Sequence, residues 1–290
     1  MPELPEVETV RRSIAPVLEG ARLEGVEIRD PRLVRPFDPM LVARELVGER
    51  VTEVGRRGKY LIVRFESGRA LLIHLRMTGS LRHARRGALA DDPHTRAVLR
   101  LDNASDVAYR DVRRFGTWEL LEERELSPFL NARVGPEPLG SFTAARLGLR
   151  LQGRRAPLKS ALLDQRTVAG LGNIYVDEAL WWSRLHPLRS AGSLDDDELA
   201  RLHRAIRRVL RRGIERQGST LREYALPDGS SGRMQDEFHA YGRGGGPCDR
   251  CGTPLQRIVV GGRTTTFCPR CQSAPQSEPA VARRAVVTRA

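Results

Sequence analysis

Lysine is almost absent from this chain. Of its 49 Lys and Arg residues only Lys59 and Lys159 are lysine, so nearly every position that needs just a positive charge carries arginine. The two survivors suggest sites where a planar, permanently charged guanidinium will not serve, and where a compact amine able to lose its proton will. Aromatic residues are also scarce, at 5%. Cysteine does not occur before residue 248, and all four cysteines then fall between Cys248 and Cys271. That clustering argues against a disulfide scaffold and for a reduced compartment with one metal site. No apolar run approaches the roughly 18 residues of a membrane span. Glu3, Glu6 and Glu8 precede the first arginines, unlike a signal peptide, so the expected location is cytoplasmic.

The 290 residues suffice for two or three compact units, and 40% hydrophobic with 29% charged content fits a soluble globular protein. The net charge of +13 and pI near 10.7 call for a polyanionic partner, nucleic acid before acidic membrane. A general enrichment in arginine would raise the charge in the same way.

The chain opens Met1-Pro2-Glu3-Leu4-Pro5-Glu6. Prolines and acids suit a first helical turn, so a capped helix start is one reading. The other begins with removal of Met1, which leaves Pro2 as a free secondary amine. An α-amine titrates near about pH 8, so part of it is neutral and nucleophilic at neutrality. An amine beside two carboxylates outlines a Schiff-base site.

Val7, Val10, Ile14, Val17 and Leu18 recur at intervals of three and four, which predicts an amphipathic helix from Glu6 to Glu19, closed by Gly20. To about residue 125 the pattern is short alternating segments divided by turn signals, as expected of an antiparallel β sandwich or barrel with that helix packed on it. Pro128, Pro136 and Pro138 suggest a linker over residues 128–140. A helix follows with Ser193 as cap, Asp196 at the capping-box position and a stripe of Leu199, Leu202, Ile206, Val209 and Leu210. Its arginine-rich opposite face is either solvated or phosphate-facing. Residues 226–233 read as a Gly/Ser-rich loop, and residues 273–290 as a disordered tail.

Four motifs carry chemistry. Cys248-x-x-Cys251, sixteen residues, then Cys268-x-x-Cys271 reads as a structural four-cysteine zinc ribbon, whose closed ligand set leaves no place for a catalytic water. Between the pairs, Gly261-Gly262-Arg263 forms a hairpin tip that offers Arg263 to a groove. Gly172-Asn173 before a helical run is an ordinary cap or an anion-binding helix start. Arg113-Arg114-Phe115-Gly116 is a β-turn with a buried aromatic, or a tip that inserts between bases. His74-Leu75-Arg76-Met77-Thr78-Gly79 is a strand end and turn that either buries or presents Met77.

Taken in order, Pro2 to Val10, Gly58-Lys59-Tyr60-Leu61, His74 to Gly79, Arg113 to Gly116, Gly172-Asn173-Ile174-Tyr175, Tyr241-Gly242-Arg243 and the cysteine finger resemble the bacterial formamidopyrimidine-DNA glycosylase family. The resemblance runs from residue 2 to about residue 272. It implies an α+β multidomain fold: a catalytic β-sandwich over 1–127, the linker at 128–140, a helix-two-turn-helix domain over 141–234, a zinc ribbon over 235–272 and a tail over 273–290. It implies a bifunctional glycosylase and abasic-site lyase of base excision repair, acting on oxidised purines in double-stranded DNA as a monomer with one structural zinc. By the same resemblance Pro2 is the nucleophile, Glu3 a general acid/base, Glu6 a positioning carboxylate and Lys59 a partner for phosphate or carboxylate. Met77, Arg113 and Phe115 fill the gap left by an extruded base. His74, Arg114, Asn173 and Arg263 hold phosphates, and Lys159 lies near the lesion. The sister endonuclease VIII group usually has glycine in place of Leu4 and lacks the Arg-Arg-Phe-Gly wedge. Arg76, Val112, Arg233-Met234 and Gly244 depart from the family pattern and put lesion preference, more than activity, in question. Competing expectations are an oxidised-pyrimidine enzyme and a non-catalytic protein that binds damaged DNA.

Overall fold

The computed structural model describes residues 2–89, 91–220 and 230–274. The sequence expectations for residues 226–229 and for most of the tail lie outside them. The chain divides into two compact units, Met1–Glu137 with Leu210–Glu237, and Pro138–Val209 with Phe238–Ala290.

In the first unit, α1 (Leu4–Leu18) buries Val7, Val10, Ile14 and Leu18, the stripe its period predicts. Strands β1 (Leu23–Ile28), β2 (Val51–Arg57), β3 (Tyr60–Phe65), β4 (Arg69–His74), β5 (Gly79–Arg85), β6 (Thr95–Leu101), β7 (Ser105–Asp111) and β8 (Thr117–Glu122) form two four-stranded sheets. Their orders are β1-β6-β7-β5 and β2-β3-β4-β8, and every pairing is antiparallel. Leu61, Val63, Leu71 and Ile73 of one sheet share a single core with Leu81, Leu99, Val107 and Tyr109 of the other and with α1. The sandwich is therefore realised. Each such aliphatic side chain contributes about 1.5–3 kcal/mol on burial, enough to fix the strand ends from which the functional turns project.

Three sequence expectations are corrected here. Residues 39–46 form a helix, α2 (Pro39–Leu46), inside the supposed all-strand region; Asp38 caps it by accepting from Met40 N and Leu41 N. The supposed linker begins inside another helix, α3 (Glu123–Arg133), which contains Pro128. Reciprocal capping by Glu122 and Glu125 starts that helix, and this local gain outweighs the proline. Segment 210–237 also goes with the N-terminal unit, whereas the sequence put residues 141–234 together. The bonds from Ser219 N and Oγ to Glu6 join it there, while bidentate pairing of Arg212 with Glu237 closes the segment on itself.

The second unit holds α4 (Ala144–Leu151), α5 (Leu158–Leu163), α6 (Asn173–Ser183) and the Asp196–Val209 part of α7 (Asp196–Glu215). It also holds the hairpin β9 (Gln256–Val260) and β10 (Arg263–Phe267), paired Val260 to Arg263 across Gly261-Gly262. The cap of α7 is Asp195, not Ser193: Glu198 N donates to Asp195 Oδ1 at 2.8 Å and Asp195 N to Glu198 Oε2 at 3.1 Å. Ser193 ends a preceding 3-10 turn. The arginine face of α7 is partly committed within its own unit, since Arg207 donates to the carbonyls of Pro138 and Gly140 and Arg208 lies 3.6 Å over the Trp182 ring. No described helix is long and apolar enough to cross a membrane.

Candidate functional site

Pro2 and Glu3 are buried at the head of α1, with Glu3 as N-cap. Glu6 is bound on both sides. Its Oε2 accepts from Glu3 N at 2.9 Å, and its Oε1 from Ser219 N at 2.8 Å and Ser219 Oγ at 3.1 Å. Gly218, at φ +78°, passes so close that a Cβ there would lie 2.8 Å from Glu6 Cγ. The carboxylate thus fixes the backbone carrying the terminal residues against a segment more than two hundred positions away.

Lys59 lies in the two-residue turn between β2 and β3, after Gly58 at φ +57°, and is 5% exposed. Burial of a lysine is costly unless its ammonium is matched by its surroundings. Arg56 braces this turn. Its Nη1 donates to Gly58 O at 2.8 Å, its Nη2 to Glu137 Oε2 at 3.0 Å and its Nε to Glu8 Oε2 at 3.1 Å, while Glu137 also accepts from Gly58 N. Burial alone would raise the Glu8 carboxyl, but Arg11, Arg12 and Arg56 hold it down at about 2. The lysine turn is therefore tied through an ionised carboxylate to the helix that carries Pro2 and Glu3.

His74 ends β4 and is 8% exposed. Burial, with Arg76 and Lys59 nearby, pushes its pKa down to about 3, so it is neutral at pH 7. Because Nδ1 accepts from Arg76 N at 3.0 Å, the proton sits on Nε2, which makes His74 a neutral donor suited to a phosphate oxygen. Arg76 adopts φ +54°, a left-handed conformation that favours glycine, and this is the physical content of its departure from the family pattern. Met77 follows, half-buried. Across the β5–β7 pairing, Arg113 and Phe115 are exposed, and the Arg113 guanidinium lies 4.8 Å from the Phe115 ring centroid. Arg114 differs from expectation. Its Nε and Nη2 bind Asp30 at 2.5 and 2.8 Å, so any phosphate must share the guanidinium with that carboxylate.

In the second unit Asn173 opens α6 and donates to Thr264 O at 3.0 Å, and Arg263 stands exposed at the start of β10. Lys159 stands in a setting that the sequence did not show. It is fully buried, 2.6 Å from Asp177 Oδ1, and donates to Thr264 O at 3.0 Å, while Asp177 Oδ2 accepts from Thr266 N at 3.0 Å. Through these bonds it pins the hairpin that carries Arg263 to α5 and α6. Burial raises the Asp177 carboxyl to about 6 despite the opposing pull of Lys159. Lys159→Met, which strands that charge, is expected to cost about 3–5 kcal/mol of stability. A thermal melt of Lys159→Met beside the double variant Lys159→Met/Asp177→Leu checks this, with most of the loss recovered in the double.

The four cysteines are free, and their Sγ atoms all lie within 4.8 Å of one another. A tetrahedral zinc with bonds of about 2.3 Å sets sulfurs about 3.8 Å apart, so the cluster fits. Cys271 N donates to Cys268 Sγ at 3.3 Å, a contact suited to a thiolate. Trp181, Ala240 and Leu255 pack against the cluster, and Arg250 lies 3.6 Å over the Trp181 ring. Buried Glu178 accepts from the backbone N–H groups of His239, Ala240 and Tyr241, fixing the turn that leads into the finger.

Several of these residues were assigned no role from sequence. Asp177 and Glu178 had a signal: two adjacent acids within an otherwise apolar helix must be paired or bonded. Arg56, Glu137 and Ser219 had none, being ordinary surface types far apart in the chain.

Family models match in three places: the formamidopyrimidine-DNA glycosylase N-terminal domain at residues 1–118, that family's H2TH domain at 134–225, and a zinc finger found in FPG and IleRS at 245–274. The formamidopyrimidine-DNA glycosylase of Heliobacterium modesticaldum is 48% identical over 276 residues, covering 94% of this chain and 100% of its own. That of Herpetosiphon aurantiacus is 46% identical over 278 residues, with the same coverage. Among solved structures, a Lactococcus lactis FPG variant in complex with a Fapy-dG containing DNA aligns with a TM-score of 0.88 at 38% identity, over 94% of this chain and 100% of that one. A complex of the Lactococcus lactis protein with an abasic site containing DNA aligns at 0.87, with the same identity and coverage.

Proposed function

The chain belongs to the formamidopyrimidine-DNA glycosylase family, and from that premise we propose that it is a bifunctional glycosylase and abasic-site lyase of base excision repair that removes oxidised purines from double-stranded DNA. The observation that carries this reading is the buried head of α1, where Glu6 holds Glu3 and Ser219 together and the Lys59 turn is braced to Glu8 of the same helix. Pure binding of damaged DNA needs no such setting around a terminal amine.

In this mechanism the Pro2 nitrogen, free after loss of Met1, gives its lone pair to C1′ of the damaged nucleotide. The glycosidic bond breaks with its electrons passing to the base, which takes up the proton that the Pro2 nitrogen loses. Glu3 gives a proton to the ring oxygen as the C1′–O bond opens, leaving an iminium between Pro2 and the sugar. The Glu3 carboxylate, deprotonated by that step, takes a C2′ proton as the 3′ phosphate leaves, and a second elimination expels the 5′ phosphate. Glu6 keeps Glu3 and the amine in register, and Lys59 supplies a compact cation for a phosphate or carboxylate. The target base has to leave the stack to be reached. Met77, Arg113 and Phe115 fill its place, with Arg113 bonding the orphaned cytosine, while His74, Asn173 and Arg263 hold phosphates. Cys248, Cys251, Cys268 and Cys271 hold a structural zinc, which organises the hairpin bearing Arg263 and takes no part in bond-making.

Borohydride trapping tests this with duplexes carrying 8-oxoguanine or an abasic site. Native protein is expected to form a covalent adduct on both, and Pro2→Gly far less. An adduct on the abasic duplex alone would retain the lyase and reject the oxidised-purine substrate. No adduct from protein confirmed to start at Pro2 would favour a damage-binding protein without catalysis.

A further inference from the structure

The turn carrying Met77 joins β4 to β5, and the turn carrying Arg113 and Phe115 joins β7 to β8. They lie side by side because β5 pairs with β7, with Gly79 opposite Asp111. Asp111 is 1% exposed, and its carboxylate spans both turns. Oδ2 accepts from Gly116 N at 2.7 Å, closing the second turn end to end. Oδ1 accepts from Arg113 N at 3.2 Å and from the Thr78 hydroxyl, one residue after Met77. The Thr78 oxygen in turn accepts from Arg113 N at 3.0 Å.

The packing beneath leaves no slack. A Cβ on Gly116 would lie 1.6 Å from the Tyr109 hydroxyl, and one on Gly79 would lie 2.4 Å from both that hydroxyl and Leu75 O. Tyr109 itself is fully buried. Both turns therefore rest on one aromatic side chain and are tied by one carboxylate.

We propose that Asp111 is a positioning residue that makes these two turns a single probe, so that recognition of the base opposite the lesion depends on Met77, Arg113 and Phe115 being placed together. This rests on the glycosylase reading above and adds to it a determinant of opposite-base specificity that touches no DNA. Asp111→Asn puts an amide donor against backbone or hydroxyl donors, so one side of the bridge is lost. Thr78→Val removes the hydrogen-bonded link between the turns and leaves the Gly116 cap and the packing on Tyr109 intact.

The test is single-turnover release of 8-oxoguanine opposite cytosine and opposite adenine, with trapping on an abasic duplex measured in parallel, for the native protein and both variants. The cytosine-to-adenine preference is expected to fall about tenfold in Asp111→Asn, the effect of one buried donor left unmatched, and in the same direction in Thr78→Val, with trapping on the abasic duplex close to native. A preference unchanged in Thr78→Val would overturn the coupling, whether or not Asp111→Asn folds. So would an equal loss on all three duplexes, which marks a general structural role. Native protein inactive on every duplex would overturn the glycosylase reading first, and this inference with it.

Discussion

Glu3→Gln is expected to release 8-oxoguanine at least about a hundredfold more slowly than native protein, the lower end of what a positioned acid or base contributes. The amide keeps the size of the side chain but cannot hand a proton to the opening sugar ring. Helix α1 should survive, since its capping includes the Glu6 side chain bound to the backbone N–H of residue 3, which the substitution does not touch. Binding of a duplex with an uncleavable lesion analogue should therefore stay within a few-fold of native. Single-turnover rates and equilibrium binding, measured on the same preparation, separate the two effects. A variant that binds weakly and reacts at the native rate once saturated would remove Glu3 from the proton transfers and leave it as a cap.

Replacing Cys248 or Cys271 by serine should have an effect as large by a different route. Apparent zinc affinities of structural four-ligand sites are about 10–16 kcal/mol, and in such sites binding and folding are one event. Here the ligands enclose little beyond Trp181, Ala240 and Leu255, so the finger has a small apolar core of its own. Loss of one thiolate is expected to release the metal, loosen the two Cys-x-x-Cys turns that flank the β9–β10 hairpin and abolish tight DNA binding, while the β-sandwich keeps its own melt. Metal content by elemental analysis, Trp fluorescence and binding at fixed salt report these together. Zinc retained at one equivalent with binding unchanged would contradict the scaffold role.

What was legible in the sequence follows from how local each signal is. The α1 stripe, the strands β3 and β4 and the paired Cys-x-x-Cys turns are each set by residues a few positions apart, and each stands where expected, although β3 and β4 are buried almost throughout where the sequence suggested alternation. The errors came where two local signals competed. Pro128 suggested a break, but the Glu122/Glu125 capping box starts a helix through it; Ser193 looked like a cap, yet Asp195 bonds reciprocally with Glu198. Site residues divide in the same way. Pro2, Glu3, Lys59, Arg113 and Phe115 belong to recognisable strings, whereas the residues that hold them in place are scattered: Ser219 for Glu6, Glu137 for the Gly58-Lys59 turn, Asp30 for Arg114. The scarcity of lysine drew attention to Lys59 and Lys159, and both are buried. It did not reveal that one is a buried strut, because burial is a property of the fold and not of composition.

The bond between Glu6 and Ser219 closes over 213 positions. A ribosome makes Glu6 213 residues before Ser219, so through most of synthesis the N-terminal residues sit on a chain whose Glu6 lacks both of its bonds to Ser219. Chain growth is vectorial and early domains fold first, and a fragment ending before residue 219 could complete the sandwich core while lacking the last clamp on its own first residues. The clamp therefore works as a completeness check: only a chain translated past residue 219 can set Pro2 and Glu3 in their finished surroundings.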